Sequence, residues 1–127
     1  MKRIVAGFLA VMLGANGAVM MAAGPWWYHA VPGVTETGPY NPHFVKDIGA
    51  AYLVVAGALV WRAARPLAGQ GALAAAGVFL VLHALIHVVD ASCGGHMIHD
   101  LGRDFAGVFL PALVTVWLAW PANFKRS

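Results

Sequence analysis

The chain has 127 residues, 61% of them hydrophobic and only 10% charged, with a formal charge of +3. A water-soluble domain carries charge on roughly a quarter of its residues, so this composition excludes an ordinary soluble fold and points to a surface that meets lipid. The basic residues fall as scattered pairs rather than a patch, which argues against nucleic acid, and a lone cysteine excludes an internal disulfide.

Residues 4–24 form an apolar run behind Met1-Lys2-Arg3. The run exceeds the about 7–15 residues of a signal-peptide core and leads straight into Pro25-Trp26-Trp27, a poor peptidase site. It is read as a membrane span rather than a secretory signal. Ala6, Ala10, Gly14, Ala18 and Ala22 recur every four residues, a smooth stripe that another helix can approach closely. Residues 25–43 hold four prolines and little helical periodicity, and read as a loop in which Trp26, Trp27 and Tyr28 anchor at the interface.

A second span covers 44–61, with Lys46 and Asp47 at its start and Trp61-Arg62 at its end. The third covers 71–89, and residues 90–104 read as a polar loop. The fourth covers 105–120; Pro111 within it removes a backbone bond to Gly107 and predicts a kink. Residues 121–127 are a basic tail. The expected fold is all-α, a four-transmembrane-helix bundle forming a single integral membrane domain over 1–127.

Orientation follows from the basic residues. Lys2, Arg3, Arg62, Arg65, Lys125 and Arg126 fall on one side of this arrangement and only Lys46 and Arg103 on the other. This positive-inside bias puts both termini in the cytoplasm of a cell with a bacterial-type inner membrane. The acids, which did not enter that count, agree: Glu36, Asp47, Asp90, Asp100 and Asp104 all lie toward the outer side, as do the histidines.

No GxGxxG, Walker A, HExxH, CxxC or GxSxG pattern occurs, so nucleotide binding, acyl transfer at a nucleophile elbow and thioredoxin-type redox lose support. No catalytic residue can be named. The informative stretch is 79–100, FLVLHALIHVVDASCGGHMIHD. His83 and His87 are four apart and Asp90 three further on, so a helix projects all three from one face. Ionisable groups within a span usually face the bundle interior. Counting about 1.5 Å per residue puts Asp47 within reach of the depth of His87, and Asn16, Tyr52 and His83 together in a deeper layer.

Two imidazoles with carboxylates at this spacing suit iron, manganese or zinc, with His43, Asp47, His83, His87 and Asp90 as the ligand set. Cys93, His96, Met97 and His99 form a softer set suited to copper, and Gly94-Gly95 gives that loop freedom to wrap. A b-type haem would need a ligand beyond His83 and His87, which share one face; His43 or a loop histidine would have to supply it. A quinone pocket between helices fits Tyr52 and His83, with Asn16 at the same depth. The competing reading is that these groups only hydrogen-bond helices in register, as buried polar groups in membrane bundles commonly do. A channel is disfavoured because the inner half of the spans offers no polar path.

The run Asn41-Pro-His-Phe-Val-Lys-Asp-Ile-Gly49, opening a hydrophobic helix, resembles the start of the second span in small four-helix membrane proteins of the DoxX-like kind. The resemblance implies a four-span membrane architecture and a link to quinone-dependent sulfur oxidation in some members; it assigns no role to His83, His87 or Asp90. Two functions are therefore expected: a His/Asp cluster at the outer face that binds a metal or serves quinone-linked redox, or a structural subunit that meets a membrane-protein partner or its own copy through its small-residue stripe.

Overall fold

The computed structural model describes residues 1–120, and among these the chain is helical with no strand. α1 (Lys2–Ala22) is followed by a short α2 (Gly24–Ala30) and a 3-10 turn (Val34–Thr37); α3 (Pro42–Ala64) and α4 (Gln70–Cys93) are long. α5 (Met97–Asp104), a π-helical turn (Phe105–Phe109) and α6 (Leu110–Ala119) follow as one continuous helix. α1, α3, α4 and this last helix are each long and apolar enough to cross a membrane. The molecule is an all-α four-helix bundle compatible with a multi-pass membrane protein.

Its outer surface is that of a bilayer protein. Ile4, Phe8, Val11, Val54 and Leu113 are all more than 60% exposed, while the core is built from Leu59, Leu73, Leu80 and Leu118, each at most 2% exposed. Exposed apolar side chains on every long helix are stable only against lipid.

α1 and α3 form the tightest pair. A Cβ at Gly17 would lie 2.7 Å from the Gly49 carbonyl, and a Cβ at Gly49 2.9 Å from the Met20 Cβ, so the backbones touch only because both positions are glycine. The expected stripe contributes only its first half: Ala6 and Ala10 are buried, Gly14 is partly buried, and Ala18 and Ala22 are exposed. A helix of 3.6 residues per turn rotates about 40° with each step of four, so the stripe has turned away from α3 after about 160°. The contact passes instead to Leu13, Gly17 and Met20.

Two expected loops are largely helical. Pro25 opens α2, where its missing N–H costs nothing, and the Tyr28 hydroxyl donates to the Gly38 carbonyl at 2.7 Å, closing the hairpin back on itself. Farther along, α4 runs on to Cys93 and α5 begins at Met97, leaving only Gly94–His96 to reverse the chain, with Gly95 at φ 78°. Apolar content marks where lipid lies, whereas helical hydrogen bonding continues past it. The start of α3 matches its sequence: the Asn41 side chain accepts from the His43 and Phe44 N–H groups, with Pro42 in the first turn.

The Pro111 expectation resolves into the π-helical turn just before it. Leu110 N–H closes on the Phe105 carbonyl five residues back, a widened turn that makes room for the proline ring.

The two ends of the bundle differ in charge. At one end Lys2 Nζ donates to the Trp117 and Trp120 carbonyls (3.0 and 3.2 Å), Arg3 Nε to the Ala63 carbonyl (2.7 Å), and Gln70 Nε2 to the Ala119 carbonyl. These two cations and the Gln70 amide satisfy carbonyls that the last turns of α3 and α6 leave unpaired. Arg62 and Arg65 lie at the same end, at the close of α3. All five acids lie toward the opposite end. Lys125 and Arg126, in the expected basic tail, are outside the described residues.

Candidate functional site

The acidic end is organised by α4 and α5. From His87 to Cys93 α4 rises about 9 Å, and after the Gly94–His96 reversal α5 descends about 10 Å from Met97 to Asp104. Asp104 therefore returns to the level of His87, and its Oδ2 lies 2.7 Å from His87 Nδ1. Both side chains are largely shielded, at 27% and 11% exposure. A contact this short between imidazole and carboxylate is a charge-assisted hydrogen bond.

Arg103 secures the carboxylate from the other side. Its Nε donates to Asp104 Oδ1 at 2.9 Å, and its Nη1 reaches Glu36 Oε2 at 2.8 Å and Asp100 Oδ1 at 3.2 Å. The guanidinium also covers Gly33, whose φ of 82° belongs to glycine and where a Cβ would overlap the guanidinium itself. One arginine thus joins α5 to the hairpin between α1 and α3. It is a planar fork with several donors, which a lysine could not replace.

Toward the membrane interior, the His83 ring meets His87 edge to face, with centroids 4.9 Å apart. It stacks on Phe79 at 6.0 Å and takes the edge of the buried Tyr52, also at 6.0 Å. Tyr52 and Phe79 meet each other at 6.1 Å. His83 is thus a half-buried imidazole in an aromatic cradle between α3 and α4, next to a second imidazole that a carboxylate orients.

The residues expected to share a site divide into separate places. His83, His87 and Tyr52 come together. His43 and Asp47 form their own pair, 3.4 Å apart and 89% and 60% exposed on the first turns of α3. Asp90 is exposed, and no ion pair among the described residues includes it. The carboxylate that meets His87 is Asp104 rather than Asp47 or Asp90, because equal depth does not fix which way a helix face points. Asn16 is also occupied elsewhere: its Oδ1 accepts from Trp27 Nε1 at 2.9 Å, which ties α2 to α1. At the last residue of α4, Cys93 is exposed with Ser92 Oγ 4.0 Å away, and in α5 His99 leans on Asp100 at 3.3 Å. Among the described residues no group of three or more His, Cys, Asp or Glu is placed to hold a metal ion.

Arg103, Asp104 and Glu36 were not singled out from the sequence. The signal that finds the first two is distance from the reversal: His87 lies seven residues before Gly94 and Asp104 nine after Gly95. Nothing comparable marks Glu36.

Chemically, His87 is placed to pass a proton. In the tautomer whose Nδ1 donates to Asp104, its Nε2 is an acceptor, and the centre of its ring lies 4.9 Å from that of His83. A chain of contacts through His83, His87, Asp104 and Arg103 runs from the half-buried cradle to Glu36, which is 70% exposed; the guanidinium keeps its protons, so any proton exchange along it ends at Asp104. Comparison of the chain with protein-family models, curated proteins and solved structures finds no match.

Proposed function

We propose that this chain is a multi-pass subunit of a membrane redox process, in which the His83–His87–Asp104 array exchanges protons between a quinone headgroup bound in the membrane and the acidic end of the bundle. The observation that carries the reading is the 2.7 Å contact of His87 with Asp104 on one side and the 4.9 Å approach of His83 on the other. An imidazole held between a carboxylate and a second imidazole can take a proton on one nitrogen and release it from the other.

The residues of the cradle suit a flat, polar-edged ring. Phe79 and Tyr52 offer aromatic faces and edges, and no hydrogen bond among the described residues uses the His83 ring nitrogens, which leaves them for a carbonyl or hydroxyl. A quinone, when bound, carries electrons and protons together; the chain's own part is to orient the headgroup and move the proton. The DoxX-like resemblance at Asn41–Gly49 points toward the same quinone-linked chemistry, and the acidic end is assigned to the outer face of an inner membrane on the charge bias.

A second reading draws on the same hydrogen bond. A histidine whose Nδ1 is held by a carboxylate is the usual arrangement behind a metal ligand, so His83 and His87 could hold a transition metal if solvent or a partner supplied the remaining ligands. Protein purified in mild detergent separates the two. Stoichiometric quinone in a solvent extract, lost in His83→Leu and reduced in Tyr52→Ala, is the expected result. Stoichiometric iron, zinc, manganese, copper or haem without quinone transfers the site to the metal reading. If neither is present while His83→Leu still folds but loses a co-purifying membrane protein, the chain is a structural subunit.

A further inference from the structure

Among the described residues the basic end of the bundle carries no acidic side chain. Lys2, Arg3, Arg62 and Arg65 lie there, while all five acids lie toward the far end. A groove of about 330 Å³ opens on the surface between α4, at Ala74, Gly77, Val78 and Val81, and the end of α6, at Val116 and the following Trp120. It is lined by apolar side chains throughout. From Ala74 to Val81 it runs about 10 Å along α4, within the roughly 15 Å that one leaflet's chains occupy. Trp120, which lines the groove, is also the residue whose carbonyl accepts from Lys2 Nζ.

Lys2 is fixed in that place. Its ammonium donates to the Trp117 and Trp120 carbonyls and sits 5.0 Å from the centre of the Trp117 ring. An ammonium has three donors, and two are used on these carbonyls, which leaves one for an acceptor from outside the chain. An apolar groove of leaflet length, with a positioned cation at its headgroup end and no acid nearby, complements a lipid of negative headgroup.

We propose that the α4–α6 groove holds an acyl chain of an anionic phospholipid from the leaflet at the terminal end of the bundle, with its phosphate on Lys2. The site is independent of the histidine array, so either assignment can fail without the other. Native mass spectrometry of the full chain, offered phosphatidylglycerol or phosphatidylcholine of matched acyl chains, tests it. Phosphatidylglycerol should be retained about fivefold better. Lys2→Gln should lower its retention to that of phosphatidylcholine, leaving the latter unchanged. Val78→Trp should fill the groove and reduce retention of both; Val78 is 59% exposed, so the core is untouched, and Leu82→Trp, at 56% exposed, is a second filling variant. Equal retention of the two lipids by the unaltered chain, or retention that survives both tryptophans, overturns the proposal. So does a two-chain complex that either tryptophan splits, since a second copy would then occupy the groove.

Discussion

Asp104 is held from two sides, by an imidazole at 2.7 Å and a guanidinium at 2.9 Å, with only 11% of its side chain exposed. Asp47, by contrast, meets its histidine at 3.4 Å with 60% of its side chain in contact with the surroundings. Exposed pairs of that kind contribute little, whereas hydrogen bonds between shielded charged groups contribute about 1.5–3 kcal/mol. Asp104→Asn is therefore expected to destabilise the fold by about 2 kcal/mol, and Asp47→Asn by less than about 0.5 kcal/mol. Unfolding in mixed detergent micelles measures both. Equal effects would mean that the His87–Asp104 contact is no stronger than the surface pair.

At the level of elements, the bundle rests on the approach of α1 to α3 and on the antiparallel return of α5 along α4. The first gives a paired test. Gly17→Leu must push against the Gly49 carbonyl and the Tyr52 side chain, an overpacking expected to cost about 1–3 kcal/mol. Ala18→Leu, one residue on and exposed, should leave the same unfolding curve unmoved. If Ala18 is the sensitive position, the strict four-residue stripe is the true contact.

The four spans and the polarity of the two ends were legible in the sequence because lipid imposes a long apolar run and water a charged terminus, each visible without a partner. The start of α3 at Asn41-Pro42 carries a local signal, a cap followed by a proline, but the span is read only from Phe44, where the apolar run begins. The helical character of α2 and α5 was not legible. Helices of seven and eight residues are too short to show an apolar run, and α5 is held by Arg103 and Asp104 contacts to distant residues. His83 and Tyr52 were placed together correctly by counting rise, yet the same count paired Asn16 with them although its partner is Trp27. Rise fixes height alone; the azimuth comes from packing.

Across the whole molecule, Arg103 couples the hairpin of residues 31–41 to the end of α5 through Glu36 and Gly33. Arg103→Gln keeps a polar side chain but removes the fork, so amide exchange in 31–41 is expected to accelerate while exchange within α3 and α4 stays as it was. Uniform acceleration would show that Arg103 supports the entire bundle.

The sidedness of the molecule governs what the histidine array can do. The His83 to Glu36 series reaches the acidic end and stops at the cradle; nearer the basic end, the core of the spans is Leu59, Leu73, Leu80 and Leu118, with Thr115 the buried polar side chain among the described residues. Under the proposed function, protons exchanged at His87 would therefore communicate with one side. Four of the basic residues lie at the opposite end in the described structure, and the positive-inside bias assigns that end to the cytoplasm. Reporter fusions decide the assignment. A periplasm-active reporter at residue 97 should be active and one at residue 67 silent, with a cytoplasm-active reporter giving the reverse. If residue 67 proves external, the acidic end faces the cytoplasm, the proton exchange runs with that compartment, and the lipid offered to Lys2 belongs to the outer leaflet.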